Sequence, residues 1–248
     1  MASGRMTYLQ HLEELRRRII VSFIAVIAGT AVGWLFAWDI LDLLKRPAGN
    51  VSLHYLKPME PFLVRFKISV FAGILLALPV ILFEALAFVS PALKARERRY
   101  TLGVMALIVS FFAAGVAFGY IYIMPVGTRW LLNIAGQEMK PILSASEYVS
   151  FAGWFMLAFG VSFETPLIVW MLVAMGILTP EQLQKQWRYA VIIILLFAAI
   201  ATPDWSPVTM AMVAFPMLLL YGISIVLAGL TVRSKRGRRE SEIIEAPG

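Results

Sequence analysis

The chain has 248 residues, 60% of them hydrophobic and 15% charged, with mean hydropathy +0.79 and a formal net charge of +7. A soluble domain is nearer half apolar and about a quarter charged, so this composition excludes an ordinary soluble protein. Cysteine is absent, which excludes disulfides, thiolate catalysis and thiolate metal sites. Several apolar runs reach the roughly 20 residues that a bilayer-spanning helix needs. They are continuous rather than alternating, so the expected class is an all-α integral membrane protein and not a β-barrel.

In chain order the pattern predicts six spans: Ile19–Trp38, Ile68–Val89, Thr101–Met124, Phe151–Met175, Tyr189–Thr202 and Val208–Leu230. Before the first, Thr7 and Gln10 fit a capping box, and Leu9, Leu12, Leu15 and Ile19 recur at helical spacing. That helix is therefore expected to start outside the membrane and run into it. The first apolar run is too long for a signal-peptide core and has no small-residue cleavage site, so no cleavable leader is expected. Pro79, Pro166 and Pro216 each interrupt a span, which membrane helices tolerate where neighbours satisfy the freed carbonyls. Ser144 with Glu147 and Thr179-Pro180-Glu181-Gln182 fit further capping boxes. The fifth span is short. The two loops Asp39–Lys67 and Pro125–Ser150 carry aromatics and leucines and read as structured caps, whereas the tail 231–248 reads as disordered. No soluble domain or fixed-period repeat is visible, so the whole chain reads as one six-span membrane domain.

Orientation follows from Lys and Arg. Of the 22, 15 fall on the side holding both termini. Both termini are therefore expected in the cytoplasm, and the net charge of +7 reads as basic cytoplasmic loops rather than as a nucleic-acid surface.

Enzymatic motifs are missing. There is no HExxH, GxSxG or P-loop, and the two histidines, His11 and His54, lack ligand-like spacing. Three stretches stand out instead. The first is "HLEELRRR", His11 to Arg18. Arg17 and Arg18 read as positive-inside anchors, but acids do little to set topology, so Glu13 and Glu14 need another account. Glu14 either pairs with Arg17 or Arg18 at helical spacing or receives an external cation. The second is "SPALKARERR", Ser90 to Arg99, where Glu97 is the lone acid among cations. It either neutralises its neighbours or recognises a cation. The third is Glu164, near the middle of a span. A charged side chain at that depth costs about 2.5–3.5 kcal/mol on insertion scales and marks a functional site by default. The open readings are a glutamate hydrogen-bonded to a neighbouring helix, a proton or ion site, and a contact for a partner's helix.

"HLEELRRR", "FVSPALKARERR", "FGYIYIMP", "FGVSFETP", "GILTPEQL" and "TPDWSP", in that order, resemble the markers of the TatC family, the polytopic core of twin-arginine protein translocases. The resemblance covers about Thr7 to Leu230. It implies six tilted helices in a cupped bundle, with spans five and six short, in the cytoplasmic (inner) membrane of a prokaryote. It implies binding of signal peptides with consecutive arginines, and transport of folded proteins driven by the proton gradient. The implied partners are single-span TatA-like and TatB-like subunits, further copies of the chain and membrane lipid, with no cofactor, metal or nucleic acid.

Carried over residue by residue, the resemblance puts the arginine pair at Glu14 and Glu97, with His11, Leu12 and Arg16 beside Glu14. Planar guanidinium donors suit carboxylates better than a lysine does. Phe88 and Pro91 match loop positions, and Pro47, Tyr120 and Asp204 match structural ones. Glu164 matches an intramembrane glutamate expected to face the hollow of the cup and a partner helix. Two positions depart from the family: Gly222 stands where many members carry a glutamate, and Arg65 where apolar residues are usual. The competing reading is a proton- or ion-coupled secondary transporter that uses Glu164. Internal pseudo-repeats would support it, and the two halves of the chain show no obvious similarity.

Overall fold

The computed structural model describes residues 8–49, 52–89, 98–134, 142–202 and 206–244. Helix α1 (Tyr8–Leu35) does start well before the apolar run. It ends earlier than the sequence predicts, because the chain turns at Phe36 and continues as α2 (Ala37–Lys45). That helix has Asp39 in its first turn and Lys45 in its last, matching the helix dipole, and Lys45 pairs with Asp42 at 2.7 Å. Pro47 then sits in a 3₁₀ turn, Arg46–Ala48, which Gly49 closes at φ +79°. This agrees with a structural role for Pro47: its fixed φ suits the first turn, and its missing N–H ends regular helix.

Strand β1 (Leu53–His54) pairs in parallel with β2 (Leu143–Ser144), Leu53 opposite Leu143 and His54 opposite Ser144. The two outer loops are thus tied together, as structured caps require. Glu60, which opens α3 (Glu60–Val89), adds to the tie. Its carboxylate accepts from the Ser144 hydroxyl, from the Ser146 N–H at 3.2 Å and from the Leu56 N–H at 2.7 Å.

Helices α1 and α3 form the most extensive pair. Their backbones approach so closely that a Cβ on Gly73 would lie 2.2 Å from Thr30 Oγ1, and one on Gly29 2.8 Å from the Gly73 carbonyl oxygen. Lipid gives no hydrophobic drive between helices, so close packing of small residues is what holds such a pair. Arg65 lies along the same interface. Its guanidinium is 4.3 Å from the centre of the Trp34 ring and donates to the Trp34 carbonyl, which gives this unusual cation a local partner.

Helix α4 (Arg98–Phe118) passes through a π turn, Gly119–Ile123, into α5 (Met124–Asn133). The predicted third span stopped at Met124, but the apolar helical stretch runs from Leu102 to Asn133. The wide turn lets the Met124 N–H reach the Gly119 carbonyl, and Pro125, with no N–H to place, starts the next helix.

Helix α6 (Ala145–Phe163) and α7 (Thr165–Ala174) form the fourth span, broken at Glu164 ahead of Pro166. This is the central helix of the bundle. Of its apolar window 67% is buried, against 17–28% for the other long spans. Phe155 and Phe159 are fully enclosed beside Met124, Ala198 and Val213. Gly176, at φ +78°, ends the segment. Thr179 and Gln182 make both bonds of the predicted capping box at the start of α8 (Pro180–Lys185). Of the second predicted box one of the two bonds is present, Ser144 accepting from the Glu147 N–H at 3.4 Å; the third, at Thr7, lies outside the described residues.

Helix α9 (Trp187–Ala201) has 15 residues, about 22 Å against a hydrocarbon core of about 30 Å, and is short as predicted. Helix α10 (Pro207–Ile244) is not. Its apolar part, Pro207–Leu230, has 24 residues and reaches about 36 Å, because Pro216 is absorbed without a break. The helix continues to Ile244 through residues predicted to be disordered. That stretch is rich in the strong helix formers Arg, Lys and Glu. Among the described residues, five helical segments are long and apolar enough to cross a membrane and α9 is a sixth, shorter one. The protein is an all-helical integral membrane protein.

Candidate functional site

The first turns of α1 meet the last turns of α3 on the predicted cytoplasmic face. His11 stacks on Phe88, with ring centroids 4.4 Å apart and planes 16° from parallel. Leu12 is 60% exposed and Arg16 is exposed beside it. Glu14 lies one turn further along, with only 12% of its side chain exposed.

The partner of Glu14 is Arg18. The Arg18 Nη2 donates to Glu14 Oε1 at 2.7 Å and to the Ala87 carbonyl at 2.9 Å. Its Nη1 donates to Glu84 Oε2 at 2.7 Å and to the Glu84 carbonyl at 2.9 Å. Arg18 is 5% exposed. It is therefore a buried bridge between two helices and not the headgroup anchor its position in "RRR" predicts. Anchors snorkel outward to water, whereas Arg18 finds two carboxylates and two carbonyls inside. Arg17 remains exposed, as an anchor should.

Glu84 is the functional candidate that the sequence analysis missed. The signal was present, since an acid inside the apolar run Ile68–Val89 needs a partner as Glu164 does. Glu14, Glu84, Arg17 and Arg18 line a cavity of about 320 Å3. Arg18 and Glu84 also border an apolar groove of about 500 Å3 between α1 and α3, lined by Leu15, Ile19, Phe23, Ile81 and Phe88. An acid-lined mouth thus opens beside an apolar trough. The predicted residues Pro91 and Glu97 lie outside the described residues, as does Asp204.

Glu164 stands elsewhere. It is fully buried at the α6–α7 break, and neither carboxylate oxygen has a hydrogen-bond donor among the described residues. It lines neither cavity above, nor a third of about 800 Å3 between α2 and the start of α3. Helix α6 is the central helix, and neighbouring helices enclose this point within the chain. A transporter carboxylate on a solute path is not what this placement describes.

Tyr120 lies in the π turn and donates to the Leu43 carbonyl at 2.8 Å, while Tyr148 donates to the next carbonyl, of Leu44. Together they pin the end of α2, just before the Pro47 turn, to the bundle. A Cβ on Gly222 would meet nothing within 4 Å, so this position faces outward from the bundle.

Comparisons with known proteins agree with this architecture. Residues 10–216 match the family described as Sec-independent protein translocase protein (TatC). The Sec-independent protein translocase protein TatC of Carboxydothermus hydrogenoformans is 35% identical over 92% of this chain and 95% of its own length. That of Aquifex aeolicus is 36% identical over 93% and 98%. A crystal structure described as the twin-arginine translocase receptor TatC superposes with a TM-score of 0.80 at 35% identity, covering 90% of this chain and 99% of that one. With the family pattern matched along most of the chain and the same arrangement of helices in a solved relative, this protein belongs to the TatC family of Sec-independent protein translocase proteins.

Proposed function

We propose that the chain is the receptor and organising subunit of a twin-arginine translocase. It binds signal peptides bearing consecutive arginines at the cytoplasmic face, with Glu14 and Glu97 as the receiving carboxylates and His11, Leu12 and Arg16 shaping the approach. It then organises single-span TatA-like and TatB-like subunits, and further copies of itself, for transport of folded proteins driven by the proton gradient. The whole chain acts as one six-span domain in the inner membrane of a prokaryote, with both termini cytoplasmic. It works as a non-enzymatic binding subunit.

One observation carries this reading: Glu14 grips a guanidinium at 2.7 Å at the mouth of a cavity that continues into an apolar groove. A signal peptide offers the matching sequence, a guanidinium followed by an apolar stretch. The test is binding of a labelled peptide to the purified chain in nanodiscs, comparing Arg-Arg with Lys-Lys. Glu14→Gln and Glu97→Gln are expected to abolish the Arg-Arg preference, and Glu164→Gln to keep it. A wild-type protein without preference would overturn the receptor assignment.

A further inference from the structure

We propose that Arg18 is a built-in competitor for the substrate arginine at Glu14, and that Glu84 is the carboxylate that retains Arg18 when the substrate displaces it. The inference rests on the receptor reading above and adds two residues that set the affinity of the same site.

The geometry sets up an exchange. Arg18 divides its guanidinium between two acids, Nη2 to Glu14 and Nη1 to Glu84, each at 2.7 Å. Nη1 also bonds the Glu84 carbonyl. Nη2 has the Ala87 carbonyl as a second acceptor. If an incoming guanidinium takes the Glu14 oxygen, Arg18 loses one bond of four and keeps an ionic partner. Without Glu84 it would be a buried cation with carbonyls alone, a costly state. Glu84 therefore lowers the cost of exchange.

The exchange sets affinity rather than selectivity. Any cation that takes the Glu14 oxygen must displace the same positioned guanidinium, so this cost falls equally on arginine and lysine and cancels from their ratio. The preference for arginine rests on how its planar donors fit the Glu14 carboxylate once Arg18 has moved, where a lysine offers a compact, strongly hydrated ammonium.

The two residues predict shifts of opposite sign. Arg18→Gln removes the competitor, so both peptides should bind about tenfold more tightly, the worth of one charge-assisted bond, with the Arg-Arg to Lys-Lys affinity ratio kept. Glu84→Gln keeps an acceptor for Arg18 but removes the charge, leaving Glu14 as the one ionic partner of Arg18 among the described residues. Arg-Arg affinity should then fall by about tenfold. The double variant Arg18→Gln/Glu84→Gln removes the pair as a unit and should behave like Arg18→Gln, which separates exchange from the cost of leaving Glu84 without its cation. All are measured on the full chain in nanodiscs with synthetic peptides that differ only in the Arg-Arg or Lys-Lys pair. General destabilisation would lower affinity in every variant and would overturn the proposal, as would unchanged affinities. If the wild type shows no Arg-Arg preference, the receptor reading falls and takes this inference with it. A wild-type preference with flat variants overturns this inference alone.

Discussion

The imidazole of His11 lies face to face with the ring of Phe88, 4.4 Å between centroids. This contact ties the start of α1 to the end of α3, one turn from the Glu14 carboxylate and just ahead of the loop that carries Glu97. Two positions that the family resemblance marks separately are therefore one structural unit. Stacked aromatic pairs contribute about 0.5–1.5 kcal/mol beyond their buried area. Phe88→Ala or His11→Ala should therefore weaken Arg-Arg peptide binding severalfold by loosening the Glu14 turn, whereas His11→Phe, which keeps the stack, should retain it. Peptide titration of the three variants distinguishes a stacking role for His11 from a direct polar contact, in which case His11→Phe would bind as poorly as His11→Ala.

The α1–α3 pair that positions this site depends on backbone contact at Gly29 and Gly73. Gly73→Leu would drive a side chain into Thr30, and overpacking of this kind costs typically about 1–3 kcal/mol. A lowered Tm in detergent, with loss of peptide binding, is the expected result. Gly222→Leu is the control. That position has nothing within 4 Å, and the substitution should change stability by no more than about 0.5 kcal/mol.

Tyr120 and Tyr148 hold successive carbonyls at the end of α2. A net hydrogen bond is worth about 0.5–1.5 kcal/mol. Each Tyr→Phe change should lower stability by about that amount. The double change should expose the 46–59 segment to a protease added from the outer side. Equal cleavage of the wild type and the double variant would show that the β1–β2 ladder and the Glu60 bonds hold this cap without the tyrosines.

Glu164 has no hydrogen-bond partner for either carboxylate oxygen among the described residues and lines none of the three cavities described above. Glu164→Gln should preserve the fold and peptide binding, since the shape is kept and neither carboxylate oxygen has a hydrogen-bond partner to lose among the described residues. If this residue acts when partner subunits open the α6–α7 region, transport of a folded reporter should fall by at least tenfold while peptide affinity stays unchanged. A parallel loss of both would place Glu164 in the receptor step instead.

Much of this architecture is legible in the chain itself. The helical membrane class follows from continuous apolar runs, because a bilayer offers backbone groups no other hydrogen-bond partners. The Thr179–Gln182 capping box is local, so it could be read from neighbouring residues and is found where expected. The order of motifs from His11 to Asp204 sufficed to indicate the family. Side-chain partnerships were less accessible. Spacing allowed Glu14 to pair with either Arg17 or Arg18. The choice went to Arg18 because Glu84, 66 residues away in sequence, approaches from another helix. The same distance hid Glu84 itself. Glu164 could be recognised as anomalous from its surroundings in the chain, but its enclosure depends on which helix becomes central. The helical stretch through Gly119–Ile123 likewise depends on a register change that no apolar count reveals. Sequence determined what is local, namely hydropathy, caps and turns, because those energies arise within a few residues. Tertiary structure decided which charge meets which and what is sealed, because those energies depend on helices brought together from distant parts of the chain.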